Sequence, residues 1–225
     1  MEVHNFFLEM AMLDITHFGL FVLSVFLLSV TPGPDIAYVV GQSVVNGRRA
    51  GIISAAGVAL GSCTHAIASA VGLTALITAS PMMFTIIKSL GAAYLVYLGS
   101  KMIWGTLTKQ TTNHNEAERV KAKATLTSLL TKGFITTLTN PKVLLFFISF
   151  FPQFVAPGSE HQTASFLLLG MTYALIAFMT DLTFAVLAGS AAGTVSQNRR
   201  LQKILDRIVG VTFIGLGLRL AFTRR

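Results

Sequence analysis

Charge is the first thing this chain is short of. Nine acids and seventeen bases occur in 225 residues, and charged side chains make up 12% of the sequence, against about 25% in an ordinary soluble domain. That is too few to coat a single core, so a soluble fold is excluded and the apolar surplus must face lipid. Cysteine is nearly absent as well. With Cys63 alone, an internal disulfide, a dithiol electron carrier and a zinc site of the CxxC kind are ruled out; lying in an apolar run, Cys63 reads as a small buried side chain. No Lys or Arg precedes Arg48, so the basic n-region of a secretory signal is missing and the first apolar segment is expected to stay in the membrane. Met12, just ahead of that segment, is an alternative start to Met1. Neither HExxH nor GxSxG occurs, and His, Cys and carboxylates are scattered, so no catalytic residue, metal or cofactor is expected. The net charge of +8 lacks the stripe of bases and aromatics that nucleic acid would require.

What the chain has in abundance is uninterrupted apolar length. The hydrophobic fraction is 53% and the mean hydropathy +0.69. Six stretches meet the requirement of about 20 residues for a spanning helix: 18–40, 52–79, 82–104, 126–151, 163–189 and 204–222. They are too long for strands and show no sustained period of two, so the expected fold is an all-α polytopic membrane protein. Bases in the connections set its orientation. Arg48 and Arg49 follow span 1; Lys101, Lys109, Arg119, Lys121, Lys123 and Lys132 surround the link between spans 3 and 4; Arg199, Arg200, Lys203 and Arg207 precede span 6. These belong in the cytoplasm. The N-terminal stretch, the Ser80-Pro81 turn and the link 152–162 carry no base and face outward, whereas Arg219, Arg224 and Arg225 disagree with an outward C-terminus. The polar stretch 108–125 has opposite charges three apart between Glu116 and Lys123 and reads as a short surface helix in a solvated elbow.

An internal repeat runs through the spans. Spans 1 and 4 are broken at matching depth, by Thr31-Pro32-Gly33-Pro34-Asp35 and by Thr139-Asn140-Pro141-Lys142. Spans 3 and 6 also match: Lys88, Gly91, Gly99 and Lys101 have counterparts in Arg207, Gly210, Gly217 and Arg219. The chain reads as one transporter domain over 1–225, with three-helix halves at about 16–106 and 126–225 joined by a cytoplasmic link at about 107–125. Three spans per half make the second half enter from the opposite face, an inverted repeat.

The breaks carry the chemistry. Pro32 and Pro34 flanking Gly33 interrupt span 1, because proline has no amide hydrogen and clashes with the preceding turn. The freed backbone groups cost several kcal/mol each in hydrocarbon, so the break must face protein, water or a polar ligand. A half-helix starting near Pro34 offers amides and a positive dipole end to a carboxylate; the carbonyls ending the half before it suit an ammonium or cation. An amino acid carries both groups. Asn140 repeats the pattern as an N-cap with Pro141 at the first helical position. The candidate substrate-binding residues are therefore Pro32, Gly33, Pro34, Asp35, Asn140 and Pro141, the plainer alternative being that Asp35 caps a helix and the prolines bend helices for packing.

Other buried polar groups need reasons too. Asp181 inside span 5 is the candidate for proton coupling or for binding a substrate ammonium, against a neutral or paired structural acid. His65 in span 2 is a candidate proton relay or a packing histidine. Lys88 and Lys142 are placed to pair with acids or, since their stems are long enough, to snorkel, and the second reading is preferred. Gly57 and Gly61 form a GxxxG in span 2, for close packing within the chain or, alternatively, a homodimer face. Tyr94 and Tyr97 line a path or sit as packing aromatics.

The block Thr31–Asp35, the pair Gly57 and Gly61, the run from Gly91 to Gly99, the run from Asn140 to Phe147 and the Phe151-Pro-Gln-Phe154 segment together resemble the lysine exporter (LysE/RhtB) family over nearly the whole chain. The resemblance implies a multi-pass protein of the bacterial inner membrane that exports amino acids or related metabolites, driven by the proton gradient. It also implies a central site at Pro32, Pro34, Asp35, Asn140 and Pro141. The expected partners are a small amino-acid-like solute, protons and the lipid bilayer. A cation or other metabolite exporter, an intramembrane enzyme and a non-transporting subunit are the alternatives.

Overall fold

The computed structural model describes residues 14–107, 125–156 and 159–189, and eight helical positions between 204 and 218. The elbow at 108–124, Met12, Arg199, Arg200, Lys203, Arg219, Arg224 and Arg225 lie outside the described residues. Among those described, the structure is helical apart from an isolated antiparallel bridge between Ile15 and Val155.

Both expected breaks are present. Span 1 is two helices, α1 (Phe18–Val30) and α2 (Pro34–Asn46), bent by 50° at the junction. Span 4 is likewise α5 (Leu126–Leu138) and α6 (Pro141–Phe150) with a 3-10 turn at Phe151–Gln153, bent by 52°. The residue before a proline is pushed out of the helical region by the ring; Gly33 and Asn140, each preceding a proline, are extended. The continuous helices are α3 (Arg48–Ala79), α4 (Pro81–Leu107) and α7 (Gln162–Gly189). Among the described residues α3 and α7 are long and apolar enough to cross a membrane, and the bent pairs bring the number to four if each is one span. Helix α4 and the helical positions between 204 and 218 occupy the places of the expected third and sixth spans.

Tight turns join the first helices. Gly47 has φ +86°, a left-handed value that lets α2 reverse into α3 without a Cβ clash, and its carbonyl accepts from Ala50 N at 2.9 Å. Helix α5 starts at Thr125, whose side chain accepts from Ser128 N at 3.2 Å.

Helix α3 lies at the centre, packed on α2, α5 and α7. Its glycines explain how closely. A Cβ on Gly57 would run into the Leu130 backbone carbonyl, one on Gly61 would lie 2.8 Å from Thr137 Cβ, and one on Gly133 would lie 2.6 Å from the Ser54 carbonyl. The Gly57–Gly61 pair is thus used within the chain, against α5. Tyr38 Oη adds a bond from α2 to the Leu129 carbonyl at 2.8 Å. The glycines matched between spans 3 and 6 also meet: Gly99 abuts the Gly210 carbonyl, and Gly217 faces Ala92 and Val96, so the two helices cross in antiparallel sense. Cys63, expected to be buried, is half-exposed on α3.

The connections without bases gather at one end. Thr16 N donates to the Phe154 carbonyl at 2.8 Å and Ala156 N to the Asp14 carbonyl at 2.9 Å, while Thr163 at the start of α7 bonds Thr74 near the end of α3 at 3.2 Å. Behind them sits an aromatic cluster in which Phe21, Phe146, Phe147, Phe150, Phe151 and Phe154 are fully buried. At the opposite end, where Arg48 and Arg49 begin α3, Ser43 Oγ donates to the Ala185 carbonyl at 2.5 Å.

Candidate functional site

The two helix breaks face one another, and side chains from three elements join them. Asp35, in the first turn of α2, has its carboxylate held from the other half of the chain: Thr137 Oγ1 donates to Oδ1 and Asn140 Nδ2 to Oδ2, each at 3.1 Å. Asn140 works at both ends, since its Oδ1 accepts from Lys142 N at 3.0 Å and caps α6. The first-turn amides of α2 at Asp35 and Ile36 have no carbonyl four residues back to bond; the first such bond is Ala37 N to the Gly33 carbonyl at 2.9 Å.

Lys142 departs from the snorkelling expected of it. Its stem runs inward, and Nζ donates to the Leu28 and Thr31 carbonyls, both at 2.9 Å. These are carbonyls at the end of α1, where the helix stops, and the Leu28 carbonyl also accepts from Thr31 N at 3.2 Å. An ammonium from the second broken span therefore closes the first.

Between the breaks lies a cavity of about 20 Å³, room for about one water. Leu28, Ser29, Thr31 and Gly33 come to its wall from the end of α1, Asp35 from α2, Asn140 and Lys142 from the start of α6, and Tyr173 and Asp181 from α7. Asp181 is 4% exposed. Ser29 Oγ is buried with no hydrogen-bond partner among the described residues. A hollow of about 400 Å³ opens elsewhere, between Thr74 and residues 159–164 at the base-free end, and holds none of the expected site residues.

Of those expected residues, Gly33, Asp35, Asn140 and Asp181 share the cavity. Pro32, Pro34 and Pro141 do not line it; they are exposed and act by breaking the helices. His65 also stands apart. It is buried, stacks on Phe147 at 5.6 Å between ring centroids, and its Nε2 lies 3.2 Å from the Thr137 carbonyl. Thr137, which His65 contacts, is also the residue that donates to Asp35. Tyr97 is exposed on α4 beside Lys101, with Tyr94 at 6.0 Å, away from the cavity; the Lys88 side chain lies outside the described residues.

Residues 26–224, which include both breaks and every cavity residue, match the LysE type translocator family. The chain belongs to the LysE type translocator family. Its relatives are of similar length. It is 31% identical over 208 residues to a leucine efflux protein of Enterobacter sp., covering 92% of this chain and 96% of that one. It is 33% identical over 199 residues to a leucine efflux protein of Klebsiella pneumoniae, covering 88% and 91%. A leucine efflux protein of Salmonella typhimurium is 33% identical over 191 residues, covering 84% and 87%. No solved structure matches the chain.

At the site of this LysE type translocator, Thr137 and Tyr173 escaped the sequence reading, and Lys142 was assigned the wrong direction. Lys142 did leave a signal. It stands in the first turn of its own helix, where the dipole disfavours a cation, so its charge had to be answered by another element. Thr137 and Tyr173 left none, since a threonine and a tyrosine inside apolar helices are unremarkable until their neighbours are known.

Proposed function

We propose that this translocator exports a neutral aliphatic amino acid of the leucine class across the bacterial inner membrane in exchange for protons, binding it between the two helix breaks. The observation that carries the reading is the meeting of both breaks at one cavity. The wall brings together what a zwitterion in a membrane needs: unpaired first-turn amides of α2 for its carboxylate, and carbonyls of α1 and the acids Asp35 and Asp181 for its ammonium. Ser29 Oγ, buried without a partner, is one more polar group awaiting a ligand. The leucine efflux relatives, matched over almost their whole length, support an amino acid as cargo and an aliphatic side chain on it.

Three further parts belong to the same reading. The fold is two inverted three-helix halves; near-equal bends of 50° and 52° at corresponding breaks and the antiparallel crossing of the matched glycines support it. The acids couple to protons, because two carboxylates and one ammonium on one wall leave one negative charge that a proton would neutralise. His65, one hydrogen bond removed through Thr137, orients that threonine.

The test is to load cells carrying or lacking the protein with a leucine-containing dipeptide and to follow free leucine inside and outside. Carrier cells should release leucine faster and hold less of it, and a collapsed proton gradient should remove the difference. Equal levels for leucine and every other amino acid tried would overturn the reading.

A further inference from the structure

In this structure the end of α1 is already occupied by an ammonium, and it is the protein's own. Lys142 Nζ sits at 2.9 Å from both the Leu28 and Thr31 carbonyls, at the negative end of the α1 dipole. Gly33 leaves room for it, for a Cβ there would lie 3.3 Å from Nζ. We propose that Lys142 is a tethered stand-in for the cargo's ammonium: it fills the carbonyl cradle when the transporter is empty, and an arriving primary amine must displace it.

This inference rests on the reading of the cavity as the cargo site and adds how that site recognises an amine. Two carbonyl oxygens spaced around a tetrahedral ammonium do not distinguish a lysine side chain from an α-ammonium group. A cavity of about 20 Å³ has room for about one water, so Nζ and a cargo ammonium exclude one another from the cradle. Lys142 has somewhere to go, because Asp35 and Asp181 stand on the same wall and its four-carbon stem is flexible.

The test uses purified full-length protein and equilibrium calorimetry with three probes: isopentylamine, which has the ammonium alone; 4-methylpentanoate, which has the carboxylate alone; and isopentyltrimethylammonium, a cation that donates no hydrogen bond. Lys142→Met keeps the stem and empties the cradle. It should bind isopentylamine about tenfold tighter than the parent protein, a change of about 1.4 kcal/mol, with no gain for the other two probes. A gain shared by the quaternary cation would mean bulk electrostatics, and an unchanged or weaker affinity for isopentylamine would mean a structural tether; either overturns the proposal. Should Lys142→Met not fold, Lys142→Gln removes the ammonium while keeping a weaker neutral donor and should move isopentylamine binding the same way by a smaller factor, a loss having the same adverse meaning. Leucine export by the parent protein in vesicles separates the two readings. Export without the amine gain sinks the stand-in alone, whereas the amine gain without leucine export sinks the leucine reading and leaves the cradle standing.

Discussion

Asn140 performs two tasks with two atoms, and they can be separated. Its Oδ1 caps α6 and its Nδ2 donates to Asp35. Aspartate in its place keeps the acceptor, and with it the cap worth about 1 kcal/mol, but sets a carboxylate against a carboxylate. Asn140→Asp should therefore purify in parental yield while leucine export from loaded vesicles falls about tenfold or more, by the same arithmetic in which 1.4 kcal/mol is tenfold. Asp181→Asn should leave the protein folded in the membrane, abolish uptake or efflux driven by an imposed pH gradient, and spare leucine–leucine exchange. Normal gradient-driven export by this variant would take Asp181 out of the mechanism. Residues of this sort were legible because an acid or an amide inside an apolar run is expensive and needs a reason. Lys142 was not, because a long stem satisfies the snorkelling rule equally well in either direction, and only the position of the α1 carbonyls decides which way it turns.

Helices raise a different question, namely how near two backbones come. Gly57 lies against the Leu130 carbonyl, whereas Gly72, on the same helix, has nothing within 4 Å of the place a Cβ would take. Gly57→Ala must push α3 off α5 and should destabilise the protein by about 1–3 kcal/mol. Gly72→Ala should be neutral or slightly stabilising, by up to about 1 kcal/mol from helix propensity. Thermal unfolding in detergent, read on both variants, checks the contrast. The breaks at this scale were plain in the sequence, because proline acts on its own neighbours. The partner of each glycine was not, since GxxxG announces a close approach without naming the helix that makes it. The match between spans 3 and 6 announced a repeat, yet only the coordinates put Gly99 against Gly210.

Across the described residues, the connections sort by charge. Thr16, Phe154, Thr74 and Thr163 lie at one end, and the Arg48–Arg49 turn lies at the other. With Cys63→Ala as background, a cysteine at Ser80 should react with a membrane-impermeant maleimide in intact spheroplasts, and one at Asn46 only after permeabilisation. Reversed labelling would invert the topology read from the bases. The overall helical, membrane-spanning character was legible from composition alone. Orientation of the last span was not, because bases flank it on both sides.

The single-water cavity has an electrical consequence. Protons cross membranes readily along continuous files of water, and a vestibule that holds about one molecule, backed by a wall of phenylalanines, breaks such a file. Among the described residues, that vestibule offers protons no such file. A bacterium could then keep many copies in its membrane without leaking protons through that vestibule.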